Sequence, residues 1–409
     1  MPASRWVWWI AALAVAVRLG AALATGGLRQ PELWEYDSAA RAMVAGKGFV
    51  FWHIGVPYYS YMAPLHSWLG AASYWLSGSV VPLMLVQCFI GGPLTLAAAA
   101  IATRLSRIPH AGAMAAVLVA FHPGLVVYSA LKAHALVLAA LFCTLTLLLT
   151  IRLYEHMSRW RAVALGVVVG VGALSRGTIV IFLPIAGLWL LFVTASGRRA
   201  EAVRTMLLAC VVAAAIIAPW TIRGTLLHGR FVFLLTTDAE DFWRGNNPYA
   251  TGHSYVDANR TVLTSIPREE LADLQRQPDE LAQARWFSER ARAFVRDNPG
   301  AFVRLTFRKL FQFWWFAPHT GVLYSSLWLR LYQAYYVLVL VLAAAGAVSA
   351  LRSTMVRQDT WLLLSFLVVL SVLQSLYYVE GRHRWAVEPM LMALSGAGAA
   401  RLVTKAWGP

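Results

Sequence analysis

The sequence predicts an all-α integral membrane protein with about ten transmembrane helices, a first extracytoplasmic loop, and a larger, partly helical loop on the same side of the membrane. Two observations carry this prediction. The chain has 409 residues, of which 59% are hydrophobic and only 13% charged. Its apolar runs contain few charges and recur along the chain, and a run of about 20 such residues crosses the hydrocarbon core as a helix.

Ten apolar runs are the candidate spans, centred near residues 15, 92, 119, 142, 168, 186, 212, 340, 367 and 393. The first run, residues 6–25, has features of a signal peptide. Arg18 interrupts it and further spans follow, so we expect it to be retained. The spans divide the chain into a transmembrane core (1–222), an extracytoplasmic loop region (223–326) and C-terminal transmembrane helices (327–409). The first extracytoplasmic loop covers residues 26–80.

Basic residues recur in the short connections between alternate spans. The connections contain Arg104 and Arg107; Arg152, Arg159 and Arg161; Arg198, Arg199 and Arg204; and Arg352 and Arg357, while Arg401 and Lys405 end the chain. The positive-inside rule places all of them in the cytoplasm, together with both termini. The net charge of +16 is therefore spread over helix ends and forms no basic face, which argues against a nucleic-acid partner.

The first extracytoplasmic loop contains three acids, Glu32, Glu35 and Asp37, directly after a span in a chain where charge is scarce. A carboxylate at the membrane surface can act as a base toward an attacking hydroxyl or amine. A pair of carboxylates can also hold a divalent cation, so such an ion is possible, and the metal remains unknown. The alternative is a purely structural role, because acids in a first helical turn complement the helix dipole.

The same loop contains a cluster of aromatic and histidine side chains, in which Tyr58, Tyr61 and His66 are candidates for substrate binding. The alternative is packing at the membrane interface, where aromatic residues are enriched. His53 and His66 match no metal-binding motif. Arg18 lies within the first span and needs a partner, for which the first-loop acids are the nearest candidates.

Cationic residues stand at three other outer helix ends and can converge on a phosphate. They are Lys132, Arg176, Arg382, His383 and Arg384. Arginine suits this role because its planar guanidinium makes two parallel hydrogen bonds to a phosphate. The alternative is that these side chains reach toward lipid headgroups. Cys88, Cys143 and Cys210 lie in apolar runs, have no metal-ligand spacing and are expected to be packing residues.

Several segments together resemble the GT-C glycosyltransferases, above all the bacterial branch related to protein O-mannosyltransferases and lipid A aminoarabinose transferases. The segments are YDSAARAMVAGKGF, HPGLVVYSALKAHAL, LSRGTIVIFLP, GNNPYATG, FRKLFQFWW and GRHRWAVEP. The resemblance implies a GT-C type fold, a polyprenyl-phosphate sugar donor, transfer on the outer side of the inner membrane and a catalytic acid in the first loop. The sequence departs from the family pattern at Glu32, where Asp is usual, and at His134, which replaces a usual Glu.

These features together favour a bacterial inner-membrane glycosyltransferase. It would move a sugar from a polyprenyl-phosphate carrier to a lipid, glycan or protein acceptor, and membrane lipids would be further partners. A lipid or solute transporter is one alternative, although the sequence lacks the repeated halves with interrupted helices that such proteins show. A non-catalytic membrane assembly subunit is the other, and it would tolerate loss of the first-loop acids.

Overall fold

The computed structural model describes residues 5–317 and 325–407. It confirms the predicted helical membrane protein, with eighteen α-helices in the described residues. The helices are α1 (Arg5–Ala24), α2 (Glu35–Val44), α3 (Leu65–Ser77), α4 (Val81–Ser106), α5 (Ala111–Ala120), α6 (Pro123–Ala130), α7 (Leu136–Glu155), α8 (Arg159–Ser175), α9 (Phe182–Val193), α10 (Arg199–His228), α11 (Asp238–Gly245), α12 (Arg268–Gln275), α13 (Glu280–Asp297), α14 (Pro299–Trp314), α15 (Ser326–Arg352), α16 (Arg357–Leu376), α17 (Gly381–Trp385) and α18 (Glu388–Trp407).

Within residues 5–317 and 325–407, four short strands join segments of the predicted extracytoplasmic side. Strand β1 (Glu32–Leu33) pairs in parallel with β4 (Lys132–Ala133), which attaches the start of the first loop to the segment after α6. Strands β2 (Phe51–His53) and β3 (Val56–Tyr58) form an antiparallel hairpin inside the first loop. The first loop is therefore an ordered element that other segments can pack against.

Six helical segments of the described residues are long and apolar enough to cross a membrane, and a seventh span results if α5 and α6 count as one. Five of the six are the helices α1, α4, α7, α15 and α16. The sixth is the segment 196–228, which contains α10. All seven coincide with predicted runs. The runs near residues 168, 186 and 393 form α8, α9 and α18, which do not meet this criterion. A multi-pass membrane protein is thus confirmed, and the number ten remains a prediction.

The arginine-rich connections meet on one face of the helical bundle. Arg104 Nε at the end of α4 lies 3.2 Å from Glu155 Oε1 at the end of α7 and 2.9 Å from Asp359 Oδ2 at the start of α16. The Trp189 indole N–H of α9 donates to the Gln358 carbonyl at 2.9 Å. Four predicted cytoplasmic helix ends therefore lie together, as the positive-inside reading requires.

Cysteine labelling tests this orientation in the intact membrane. Single cysteines at positions 157, 200 and 355 should react only after permeabilisation, because these positions lie in arginine-rich connections. Cysteines at 45, 250 and 320 should react from outside; position 320 lies outside the described residues. The control is the unsubstituted chain, in which Cys88 and Cys143 are buried and Cys210 is half-buried. Labelling of position 200 from outside would reverse the proposed topology.

Helices α15 and α18 approach each other through small residues. A Cβ atom at Gly346 would lie 2.0 Å from the Leu394 carbonyl oxygen, and one at Gly398 would lie 2.1 Å from that of Leu342. The Ser395 hydroxyl of α18 donates to the Val339 carbonyl of α15 at 2.8 Å. Small residues allow this close packing, which is typical of transmembrane helix pairs.

Arg18 donates to backbone carbonyls and not to the first-loop acids, which corrects the prediction from the sequence. Its guanidinium donates to the carbonyls of Ala14 at 2.8 Å and of Val119 and Ala120 at 3.2 Å each. The last two carbonyls end α5, where the chain bends by 50° before Pro123 begins α6. A broken helix leaves carbonyls without intrahelical partners, and the buried arginine supplies the missing donors.

The first loop docks onto α13 of the large loop. The Glu280 carboxylate accepts hydrogen bonds from the backbone N–H of Tyr59 at 2.8 Å and from the Thr236 hydroxyl at 2.6 Å. The Tyr58 hydroxyl donates to Gln283 Oε1 at 2.8 Å. These buried polar contacts hold the two loops over the outer helix ends and position the site described next.

Candidate active site

A cavity of about 610 Å³ lies between the first loop, α11 and the outer ends of several spans. It is bounded by the start of α2, the segments at 134–139 and 175–178, and the segment at 370–383. Its charged and imidazole-bearing lining residues are Glu35, His134, Arg176, Asp238, Asp241, Arg244, Arg382 and His383. The site thus combines carboxylates and guanidinium groups in one enclosed space.

Glu35 is the first-loop acid that faces this cavity. It begins α2, where a carboxylate also interacts favourably with the helix dipole. Burial raises the pKa of the Glu35 carboxyl above its ordinary value, and the charges of Arg382, Arg244 and His53 offset part of this effect. No side chain of residues 5–317 and 325–407 forms a hydrogen bond or ion pair with the Glu35 carboxylate. Apart from a hydrogen bond from its own backbone N–H, the carboxylate is therefore available to a bound molecule.

Asp37 and Glu32 lie elsewhere, so the three predicted acids do not converge. The Asp37 carboxylate is 2.7 Å from Arg41 Nε and accepts a hydrogen bond from the Tyr74 hydroxyl. Residues two positions apart in a helix point about 200° apart, which separates Asp37 from Glu35. Glu32 Oε2 lies 2.6 Å from Lys132 Nζ across the β1–β4 pair. Neither Asp37 nor Glu32 lines the cavity.

The three arginines of the cavity differ in how far they are neutralised. Arg382 Nε lies 2.8 Å from Glu380 Oε2, and its guanidinium lies 4.7 Å from the centroid of the Trp34 ring. Arg244 forms a close ion pair with Glu240, a carboxylate that also lies 3.0 Å from His53 Nε2. The remaining arginine, Arg176, is only 3.5 Å from the amide oxygen of Gln374 and has no carboxylate within 4 Å among the described residues.

Arg384 does not line this cavity but a separate one of about 880 Å³, which Lys132 also lines, so its role in phosphate binding stays a prediction. It is buried, and it ion-pairs with Glu388 at 2.5 Å through Nε. Its other two nitrogens donate to the Phe313 carbonyl at 2.8 Å and approach the Tyr332 hydroxyl at 2.9 Å. Each of the three nitrogens therefore already has a partner inside the protein, which fixes the guanidinium in a structural position. Its neighbour Arg382 faces the cavity because α17 turns between the two.

The other predicted substrate-binding residues divide into two groups. Tyr61 and His383 line the cavity, whereas Lys132, Tyr58 and His66 do not. His66 packs edge-on against Tyr36, with ring centroids 5.0 Å apart, and burial lowers its pKa to about 3. It is therefore a neutral packing residue behind the cavity wall.

The large loop contributes three residues that the sequence did not predict. Asp238, Asp241 and Arg244 are spaced by three residues on α11, so they share one face of that helix and all line the cavity. Burial raises the pKa of the Asp241 carboxyl to about 7. The sequence feature that could have identified these residues is the regular spacing of three charges in a short segment that contains a tryptophan.

Metal ligation has no support from these side chains. In the part of the chain that the structure describes, no group of three or more His, Cys, Asp or Glu side chains is close enough to hold an ion. A divalent cation therefore remains a prediction from the first-loop acids alone.

Comparison with known proteins places the chain among membrane glycosyltransferase folds. Residues 61–222 match the family of dolichyl-phosphate-mannose-protein mannosyltransferases. No curated protein sequence matches the chain significantly. Among solved structures, the oligosaccharyltransferase of Archaeoglobus fulgidus in its apo form aligns with a TM-score of 0.60 at 15% identity, covering 98% of this chain and 51% of that one.

Two further structures are similar. The Archaeoglobus fulgidus oligosaccharyltransferase AglB in complex with an inhibitory peptide and a dolichol-phosphate has a TM-score of 0.57 and 14% identity, covering 99% of this chain and 52% of that one. ArnT from Cupriavidus metallidurans bound to undecaprenyl phosphate has a TM-score of 0.46 and 16% identity, covering 99% and 80%. The chain spans about half the length of the archaeal enzyme.

The predicted resemblance to GT-C membrane glycosyltransferases is confirmed by the family match and by the fold. The family match begins at residue 61, after the first-loop acids. The matched range therefore includes His134 and Arg176 but none of the three first-loop acids.

Proposed function

We propose that this protein transfers a sugar from a polyprenyl-phosphate carrier to an acceptor on the extracytoplasmic face of the bacterial inner membrane. One observation carries the proposal: the unpaired carboxylate of Glu35 shares a cavity with Arg176 and Arg382 at the outer ends of the spans. The family match supports a sugar carried on a lipid phosphate. The similar archaeal structure that contains a dolichol-phosphate supports the same kind of donor.

In the proposed reaction, Glu35 is the general base. It accepts the proton of the acceptor hydroxyl or amine while that oxygen or nitrogen forms a bond to the anomeric carbon of the sugar. The bond between the anomeric carbon and the phosphate oxygen breaks, and its electron pair leaves with the polyprenyl phosphate. The products are the glycosylated acceptor, a protonated Glu35 and a carrier phosphate with one more negative charge than before.

The arginines stabilise the departing phosphate. Arg176 has no carboxylate partner, so its full charge is available to the developing anion. Arg382 stands beside it on the cavity wall and is held in place by Glu380 and by the ring of Trp34. Because the phosphate gains charge during transfer, preorganised guanidinium groups stabilise the transition state more than the bound donor.

Neutral imidazoles complete the proposed sugar site. Burial, together with nearby arginine charges, holds the pKa of His134 and of His383 well below the ordinary value. Both rings are therefore uncharged at neutral pH and can exchange hydrogen bonds with sugar hydroxyls without competing for the phosphate.

Purified full-length protein tests the proposal directly. It is incubated with radiolabelled polyprenyl-phosphate sugars in mixed micelles, and transfer to extracted lipids or hydrolysis of the donor is followed. We expect release of polyprenyl phosphate that depends on the protein. A protein that binds these donors and carries them across proteoliposome membranes without breaking the sugar–phosphate bond would instead be a transporter.

Arg176→Gln should lower the single-turnover rate about 10²- to 10³-fold, the effect typical of removing one preorganised group that stabilises developing charge. Folding should persist, because no buried carboxylate loses its partner. Single-turnover rates and donor binding on the folded variant provide the measurement. The matched control is Lys132→Gln, which removes a cation that does not line the cavity. Equal effects of the two substitutions would contradict the assignment.

The pH dependence of the single-turnover rate should reflect the raised pKa of Glu35. A base must be ionised to accept a proton, so the rate should fall as pH falls through a midpoint above 4.5, the ordinary value for glutamate. Arg382 lowers the pKa of Glu35, so Arg382→Gln should move this midpoint to higher pH. If the rate of the wild type and that of Arg382→Gln fell at low pH with the same midpoint, an electrostatic effect of Arg382 on Glu35 would be excluded.

A further inference from the structure

We propose that the face opposite the candidate active site binds an anionic phospholipid between α1, α4 and α7. A second cavity of about 380 Å³ lies there. Its walls are apolar and include Leu96, Ala99, Leu148 and Ile151, and its rim bears three arginines, Arg104, Arg107 and Arg152. This inference does not depend on the proposed function.

The charge of the rim is only partly neutralised. Arg104 is paired with Glu155, which also lines the cavity, and with Asp359. Arg107 and Arg152 have no carboxylate within 4 Å in the ranges 5–317 and 325–407. Two guanidinium groups outside any ion pair of the described residues therefore stand over an apolar wall, and the charge of Arg107 also interacts with Asp359 at longer range. The dipole at a helix C-terminus could by itself explain why arginines stand at these positions. It does not explain why an apolar cavity lies beneath them.

Arg107 has a backbone conformation that glycine adopts more readily than arginine. It ends α4 with φ of +60°, a left-handed conformation, and its own backbone N–H donates to the Thr103 carbonyl at 3.0 Å. Glycine is ordinarily found there because a Cβ atom makes this conformation unfavourable. The arginine is exposed at the cavity rim, so its guanidinium and not its backbone explains its presence.

A phospholipid fits both parts of this site. Its phosphate is the anion that arginine binds through two parallel hydrogen bonds, and an acyl chain covers the apolar wall. The arginines stand at helix ends that the positive-inside rule places in the cytoplasm, and the cytoplasmic leaflet is rich in anionic lipids. Basic pockets between transmembrane helices on that side bind lipid headgroups in other membrane proteins.

The test uses the full-length protein in mixed micelles of neutral detergent with phosphatidylglycerol or phosphatidylcholine at equal total lipid. Bound lipid is counted by native mass spectrometry, and thermal unfolding is followed in parallel. We expect preferential binding of phosphatidylglycerol. Each arginine near a membrane surface changes lipid affinity about fivefold, so the double variant R107G/R152Q should bind it about 25-fold more weakly.

Two comparisons make the result specific. Without anionic lipid, R107G should be at least as stable as the wild type, because glycine relieves the left-handed conformation. Arg198→Gln is the matched control, since it removes a cation of the same face that is paired with Glu201 and does not line this cavity. Equal binding of both lipids, or undiminished phosphatidylglycerol binding by the double variant, would overturn the proposal. Equivalent stabilisation by soluble glycerol phosphate would exclude a lipid as the ligand.

Discussion

Glu35→Gln should reduce turnover by about 10²- to 10⁴-fold, the usual contribution of a general base. The substitution keeps the size and shape of the side chain and one acceptor oxygen but removes the ability to accept a proton. It should not impair folding, because no described side chain pairs with the Glu35 carboxylate. Single-turnover rates with a labelled donor, measured alongside donor binding, separate a chemical effect from a binding effect. We expect donor binding to change much less than the rate.

The other first-loop acids provide matched controls for Glu35. Asp37→Asn weakens an ion pair with the largely exposed Arg41, and Glu32→Gln breaks a contact with Lys132 outside the cavity. One partner of each pair, Arg41 or Glu32, is more than half exposed, so solvent can compensate for part of the lost contact and both variants should fold. Both should also retain most turnover. Loss of activity in Asp37→Asn with normal activity in Glu35→Gln would transfer the role of base to Asp37.

Arg384→Ala should lower the free energy of unfolding by about 3–5 kcal/mol, the typical cost of breaking a buried ion pair by removing one partner. Arg384 and Glu388 are each 1% exposed, and Arg384 also donates to the Phe313 carbonyl. Without the guanidinium, the carboxylate of Glu388 loses its main counter-charge inside the helical bundle. The effect should appear as a lower midpoint of thermal unfolding in detergent and as less protein in the membrane.

Comparing Arg382→Ala with Arg384→Ala separates a loss of stability from a loss of substrate binding in α17. Arg382 is somewhat more accessible, with 16% of its side chain exposed, and it faces the candidate active site. Its loss should weaken donor binding and turnover with a smaller effect on unfolding. A stable Arg384→Ala variant that fails to bind the donor would return Arg384 to the phosphate site predicted from the sequence.

The membrane architecture could be predicted from the sequence because it depends on local composition. Apolar runs of sufficient length must form helices in lipid, where every backbone polar group needs an internal partner. The runs near residues 15, 92, 142 and 340 accordingly form α1, α4, α7 and α15. The grouping of arginine-rich connections on one face followed from the same local rule, and Arg104 meets Glu155 and Asp359 there.

The sequence also predicted a site in the first loop, and five of its candidate residues line the cavity: Glu35, Arg176, Tyr61, Arg382 and His383. The sequence did not distinguish Glu35 from Asp37, because both stand in one helical turn. The structure separates them by the direction of their side chains. Glu35 faces the cavity, whereas the Asp37 carboxylate is bound by Arg41 and Tyr74.

The sequence by itself determined a helical membrane protein with an acidic first loop and cationic outer helix ends, because hydropathy and charge pattern act over short stretches of chain. Only the tertiary structure decided which charges are free. Arg384 and Arg176 look alike in sequence, yet one is neutralised by Glu388, four residues away in α18, and the other meets no carboxylate among the described residues. The partners of a buried charge come from whichever elements pack against it. Asp241, which reaches the cavity from a loop some 200 residues beyond Glu35, is for the same reason a residue that only the folded chain assigns to the site.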